Sequence, residues 1–266
     1  MADIALHVFP SPDAIGDHLA ARLLERIEFA RASGRPFLLG CPTGRTPRPI
    51  YQAMARRLSL TPRDISHVVL VMMDEYLVHD GDGLSHAPAD APWSCHRFAR
   101  DEIAQSLNAG LEPVNRVRDD SIWFPDPRDP EAYDATIAAA GGIDFFILAS
   151  GASDGHVAFN PPGSPRASRT RVIALSDDTR RDNLQTFPSF GTLDAVPRHG
   201  VSVGIATIAD AREAVMVVWG VGKRATLQRM LRASDYDPAW PATVIHVCAT
   251  GEILGDSEAA RGIAGT

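Results

Sequence analysis

Positive charge is in short supply in this 266-residue chain: 26 Lys and Arg stand against 33 Asp and Glu, a formal net charge of −7. A protein built to coat DNA or RNA carries the opposite balance, so no nucleic-acid partner is expected. An anionic ligand must instead meet positive charge concentrated at one place. Long hydrophobic runs are missing as well. The longest, Val68–Met73, Phe145–Ala149 and Ala214–Gly220, have the length of strands. None approaches the ~18–20 apolar residues of a membrane helix, which excludes a membrane-spanning function of that kind. Cysteine is scarce: Cys41, Cys95 and Cys248 are widely spaced and form no CxxC pair, so a disulfide framework is not expected. There is no HExxH motif and no His/Cys cluster at ligand spacing, so no metal is expected. The first ten residues show no basic region followed by an apolar stretch, so no secretory signal is expected and the cytoplasm is the simplest location.

What the chain does have is alternation. Apolar runs of strand length, Ile4–Phe9, Phe37–Cys41, Val68–Met73, Ile143–Ala149, Arg171–Leu175, Val201–Val203, Ala214–Val218 and Val244–Cys248, are separated by segments of helical period. The first helix is capped by Ser11 or Asp13 and repeats Ile15, Leu19, Leu23, Leu24 and Ile27 at three- and four-residue steps. Further helices are expected near Pro49–Leu58, Trp93–Leu107, Pro130–Ala140 and Lys223–Leu231. Tyr76–Pro92, rich in Gly, Asp, His and Pro, reads as a long mobile excursion, and Gly251–Thr266 is expected to fray at its end. The pattern predicts an α/β fold, Rossmann-like, with three α/β/α layers around a mostly parallel sheet. No repeat, low-complexity tract or linker interrupts it, so residues 1–266 read as one domain.

Open parallel sheets gather ligands at the carboxyl ends of their strands, and three unusual loops follow predicted strands here. Cys41-Pro42-Thr43-Gly44-Arg45-Thr46-Pro47 offers hydroxyls, backbone N–H groups and a helix start, the parts of an anion cradle. Taken alone it also fits an ordinary strand-to-helix turn. Met73-Asp74-Glu75-Tyr76 sets two carboxyls just past a buried strand; one of them should face the crevice, where burial raises its pKa. Either can equally cap a turn. Ser150-Gly151-Ala152-Ser153-Asp154-Gly155-His156 pairs a carboxyl with an imidazole two residues away, an arrangement suited to acid–base work, although a loop histidine is more often a bystander. Gly220-Val221-Gly222-Lys223 presents a lysine at a helix start, as a point charge for an anion or as plain surface.

In this order the loops resemble the glucosamine-6-phosphate deaminase (isomerase) family, whose superfamily also holds the 6-phosphogluconolactonases. The likeness rests on the residue 42–47 loop, on Met73-Asp74-Glu75-Tyr76 and on Asp154-Gly155-His156-Val157-Ala158-Phe159-Asn160. Ser168-Arg169-Thr170-Arg171, Asp178-Thr179-Arg180 and the Gly220–Lys223 turn extend it. It implies that Thr43, Gly44, Thr46 and Lys223 hold a sugar phosphate, that Asp74 moves a proton between C1 and C2, and that His156, supported by Asp154, opens the pyranose ring. No cofactor is implied, and the small-molecule partner is a sugar phosphate. A homo-oligomer is in keeping with the resemblance.

Two departures stand out. The family's glutamate after the histidine is replaced by Pro161, which shortens an Asp–His–Glu relay to Asp154 and His156. The second glycine of the phosphate loop is Arg45, strained by roughly 1 kcal/mol if the backbone there needs φ > 0. An arginine the family sets against phosphate falls on Gln185, so Arg45, Arg180 or Arg181 is expected to replace that charge. A deaminase of an aminosugar phosphate is the leading expectation. A 6-phosphogluconolactonase-like hydrolase, which needs no Asp74 base, is the alternative, and a sugar-phosphate sensor with weakened catalysis is a third.

Overall fold

The structure, a computed structural model, describes residues 4–81 and 83–263. Its central strands are the apolar runs read from the sequence. Strands β1 (Ala5–Phe9), β2 (Phe37–Cys41) and β3 (Val68–Met72) come first, separated by helices α1 (Pro12–Ala32) and α2 (Arg48–Leu60). Every residue of β2 and β3 is buried, as continuous apolar strands covered on both faces must be. Helix α1 begins where Ser11 accepts a hydrogen bond from the Ala14 N–H at 3.2 Å. Its Ile15, Leu19, Leu23, Leu24 and Ile27 are all buried. Gly16 lies where α1 crosses the start of α2: a Cβ there would sit 2.5 Å from the Pro49 carbonyl oxygen, so no larger residue fits that contact.

After β3 the chain departs from simple alternation. β4 (Asp74–Asp80) and β5 (Gly83–His86) form a hairpin. A helical segment over residues 95–108 follows, made of α3 (Cys95–Phe98), a π-helical stretch (Ala99–Ala104) and α4 (Gln105–Asn108). β6 (Ile122–Trp123), α5 (Glu131–Ala139) and β7 (Phe145–Ala149) come next. The last third holds β8 (Arg171–Ala174), α6 (Asp177–Thr186), β9 (His199–Ser202), α7 (Ile205–Ala209), β10 (Ala214–Val218), α8 (Arg224–Arg232), β11 (Gly251–Asp256) and α9 (Ser257–Ala260).

Seven strands form one sheet in the order β1-β11-β10-β7-β2-β3-β6, with every pairing parallel. Alternate residues serve its two faces. Leu39, Leu70, Ile147 and Val217 pack with α1 and α2, whereas Leu38, Val71, Phe146 and Met216 pack with residues of α5, α7 and α8. The expected α/β/α layering around a parallel sheet is therefore present.

Two expectations fail. Tyr76–Pro92 is not one long excursion: most of it builds β4 and β5, although Asp82 lies outside the described residues. With β8 and β9 these strands make a second sheet, β5-β4-β9-β8, antiparallel throughout. Long-range pairing with β9 decides the outcome, and local composition carries no trace of it. The other failure is at the end of the chain. Val244–Cys248 is not a strand; it falls mostly in a 3-10 helix, Pro241–Val247. The remaining strand of the parallel sheet is β11, at the start of Gly251–Thr266 where no strand was expected, and it lies between β1 and β10. Its glycines and acids disguise it. Gly251 allows close approach to the Ile245 carbonyl oxygen, 2.3 Å from where a Cβ would stand. Arg22 of α1 donates to both Glu252 and Glu213, neutralising charges in and beside the sheet. Residues 264–266 of that expected tail lie outside the described residues.

Candidate active site

Strand order reverses direction between β2 and β7. From β2 the chain proceeds to β3 on one side, and from β7 it reaches β10 and β11 on the other. That switch opens a crevice at the strands' carboxyl ends. A cavity of about 400 Å³ occupies it, walled by the loops after β2, β3, β7 and β10 and by α6. Thr43, Gly44, Arg45, Thr46, Asp74, His156 and Lys223 all line it. Asp154 stands just behind His156. A larger recess of about 840 Å³ lies elsewhere, against β5 and β6. It is an open groove away from the reversal of strand order, and its Asp126 and Arg128 already pair with each other.

Asp74 and Glu75 show why two adjacent carboxyls take different roles. Met73 carries the chain out of the parallel sheet, and strand alternation then turns the two side chains to opposite sides. Asp74 lines the cavity and is 5% exposed. Burial pushes its carboxyl up to about 7; the Cys95 thiol, 3.5 Å from Oδ1, opposes the rise and the charge of Glu75 adds to it. Glu75 faces the other way. Its oxygens accept from the N–H groups of Tyr76, Cys95 and His96, the Ser94 hydroxyl and His96 Nδ1, at 2.7–3.1 Å. It binds the start of α3 to β4 and leaves no capacity for a ligand.

The pairing of Asp154 with His156 is direct: Oδ1 lies 2.6 Å from His156 Nδ1. Oδ2 accepts from the hydroxyls of Ser176 and Thr179, each at 3.1 Å. Burial alone would raise the Asp154 carboxyl, yet the hydrogen bond and charge of His156, with the Ser176 hydroxyl, hold it well below the usual carboxylate range. A fixed carboxylate on Nδ1 leaves Nε2 as the nitrogen available for proton transfer. The loop permits no bulk behind the ring: a Cβ on Gly151 would sit 2.2 Å from His156 Nδ1. Asn160, fully buried, donates to the carbonyls of Val157 and Val203 and secures the turn that follows. Ala158 in that turn holds φ at +51°, an uncommon conformation for a residue with a Cβ.

The wall formed by the loops after β2 and β10 is made of short donors and two cations. The left-handed φ falls on Gly44 (+88°) and not on Arg45, so the arginine carries no strain there. Arg45 is exposed at the cavity rim, and its charge helps lower the pKa of Lys223. Burial is the larger cause, bringing the lysine down to about 8, while Asp182 and Asp154 oppose it. Lys223 Nζ donates to the Ser150 carbonyl. The Trp219 indole donates to the Thr46 carbonyl at 3.1 Å and so ties two walls together. Arg180 and Arg181 do not reach this place. Arg180 is buried against the carbonyls of Leu193 and Val196, and Arg181 pairs with Asp178 on the surface. Gln185 lines the cavity without charge.

Sequence reasoning missed the contribution of α6. Thr179 reaches both Asp154 and His156, with its Oγ1 3.3 Å from Nδ1. Asp182 Oδ2 accepts from the Ala152 N–H and the Ser153 hydroxyl and holds the helix over the loop. Asp154, His156 and Asp182 each place one ligand-type atom within 4.8 Å of the others. The hydrogen bonds already made by Asp154 and by Asp182 Oδ2 leave this group little donor capacity for a cation. Asp182 and Thr179 thus occupy the surroundings of His156, while Pro161 lies outside the cavity lining. Thr179 stood in the Asp178-Thr179-Arg180 motif with no role attached, and the spacing of Ser176, Thr179 and Asp182 along the helix is the signal that could have announced it and Asp182.

The family description "Glucosamine-6-phosphate isomerases/6-phosphogluconolactonase" matches residues 10–254. The chain is 38% identical to the glucosamine-6-phosphate deaminase of Streptomyces avermitilis over 192 residues, 70% of this chain and 66% of that protein. It is 32% identical to the deaminase of Erwinia tasmaniensis over 250 residues, 94% of this chain and 89% of that one. Among solved structures, a monomeric glucosamine-6-phosphate deaminase superposes with a TM-score of 0.79 at 25% identity, covering 97% of this chain and 99% of its own. The 6-phosphogluconolactonase of Trypanosoma cruzi shares the fold, with a TM-score of 0.71 at 18% identity, 98% of this chain and 97% of that one.

Proposed function

The chain belongs to the glucosamine-6-phosphate isomerase/6-phosphogluconolactonase family, and from that premise we propose that it converts an aminosugar phosphate of the glucosamine 6-phosphate type to a ketose phosphate and ammonia. One observation carries the choice of the deaminase branch: a buried carboxyl, Asp74, held near neutral basicity, shares one cavity with an Asp-paired histidine and a cationic loop wall. Isomerisation needs a base at carbon; lactone hydrolysis does not.

Thr43, Gly44, Arg45, Thr46 and Lys223 hold the phosphate, through backbone N–H groups and hydroxyls with two positive charges beside them. His156 opens the ring. The proton on the anomeric hydroxyl leaves, the C1–O5 bond breaks and O5 gains a proton, with the imidazole as carrier and Asp154 stabilising its charged form. Asp74 then takes the proton from C2 of the open aldose and returns it to C1, while the C1 carbonyl oxygen gains a proton to become a hydroxyl and the C2 nitrogen gives one up. The C2 nitrogen becomes an imine, and water replaces it to release ammonia and leave the ketone. Burial serves this step twice, because it raises the basicity of Asp74 and limits exchange of the transferred proton with water.

Incubation with glucosamine 6-phosphate should yield equal amounts of ammonia and fructose 6-phosphate. Hydrolysis of 6-phosphogluconolactone that survives Asp74→Asn, without ammonia from any hexosamine phosphate, would place the protein with the lactonases. Thermal stabilisation by sugar phosphates with neither turnover would mark it as a sensor.

A further inference from the structure

We propose that Cys95 is a positioning residue for Asp74, a thiol that steers the carboxyl toward the cavity while stabilising its charged form only weakly. The inference rests on the reading of Asp74 as the base. Cys95 is the first residue of α3, is 1% exposed, and sets its sulfur 3.5 Å from Asp74 Oδ1. On the other side the same sulfur lies 3.6 Å from the Thr43 hydroxyl of the cavity loop. Among the described residues no other hydrogen bond reaches the Asp74 carboxyl. Its orientation therefore depends on one soft donor, and Oδ2 is left to the cavity.

The position of that donor is itself fixed. The Cys95 N–H donates to Glu75 Oε1 at 3.1 Å, and the Ser94 hydroxyl donates to Glu75 Oε2 at 2.9 Å. The carboxyl that faces away from the cavity thus anchors the helix whose thiol reaches the carboxyl that faces into it. A thiol is a weak donor. A hydroxyl in its place would stabilise the carboxylate more strongly and make the base weaker; a methyl group would leave the carboxyl unanchored. The other ionisable groups around Asp74 do not supply the missing contact. Glu75 is saturated by its own donors, and the Tyr133 hydroxyl donates to the carbonyls of Met72 and Trp123. Burial keeps both Tyr76 and Tyr133 protonated across the working range.

Cys95→Ser and Cys95→Ala separate positioning from simple packing. In kcat/KM profiles for glucosamine 6-phosphate over pH 5–9, Ser should move the acidic limb down by about half a pH unit or more, and Ala should move it up. Ala should also lower kcat by roughly tenfold with little change in KM, because the base loses its orientation. Limbs that stay within about 0.2 of the wild-type pH in both variants would overturn the proposal. Should the Ala variant not fold, the Ser variant, nearly equal in volume, decides the matter alone. Carbon-13 NMR titration of the Asp74 carboxyl in the ligand-free protein, assigned by its loss in Asp74→Asn, reads the same shifts without turnover. Failure to release ammonia would refute the deaminase reading, and an unmoved carboxyl titration would refute this one.

Discussion

Asp74→Asn should cripple the protein as a catalyst and strengthen it as a fold. Burial raises the Asp74 carboxyl from 3.8 to about 7, about three units. At about 1.4 kcal/mol per unit, the native state bears a penalty of up to about 4 kcal/mol for holding this carboxylate charged. The sign follows from linkage. Between pH 3.8 and 7 the native protein binds a proton that the unfolded chain has lost, so stability declines as pH rises through that window and the penalty is complete above it. An amide of the same shape carries no charge to desolvate. Urea denaturation followed by circular dichroism at pH 4.5 and pH 8 should show a variant-minus-wild-type gap that widens by about 2–4 kcal/mol at the higher pH. In melting temperature, at roughly 2–4 °C per kcal/mol, that is about 5–15 °C. A gap of equal size at both pH values would refute the claim that burial sets the basicity of Asp74.

Gly151→Ala should cost roughly 100-fold in kcat/KM, because its Cβ would stand 2.2 Å from His156 Nδ1 and 2.8 Å from Asp154 Oδ1 and must displace the ring. Steady-state kinetics from subsaturating to saturating substrate checks it, and a wild-type kcat/KM would show that the ring is free to move. Lys223→Met should weaken binding of inorganic phosphate in calorimetric titrations by about tenfold or more. In the wild type the same affinity should fall as pH rises through about 8, where the half-buried ammonium loses its proton. Thr179→Val removes one of the two hydroxyls on Asp154 Oδ2 and should cost about 1–2 kcal/mol of stability in denaturant titrations, along with part of kcat.

The sequence disclosed the buried strands because a strand covered on both faces must be apolar throughout, as β2, β3 and β10 are. It disclosed the loops because they follow those strands, and Thr43, Gly44, Arg45, Thr46, Asp74, His156 and Lys223, all singled out there, line one cavity. β11 stayed hidden because Gly251, Glu252, Gly255 and Asp256 fit a strand only once Arg22 and Ile245 are in place beside it. The antiparallel sheet stayed hidden because β4 pairs with β9, more than a hundred residues away in the chain. Cys95 and Asp182 were illegible for the same reason: each acts on a loop it meets only in the folded state. Arg45, by contrast, departed from the expected glycine without strain, because the turn takes its left-handed residue one position earlier, at Gly44.

The central claim is that one buried carboxyl carries the proton from C2 to C1. Glucosamine 6-phosphate deuterated at C2 tests it most directly, with the fructose 6-phosphate examined by mass spectrometry and NMR. Measurable deuterium at C1 of the product, together with loss of ammonia release by at least about 100-fold in Asp74→Asn, is the predicted result. Ammonia released by the Asp74→Asn variant at the wild-type rate would contradict it.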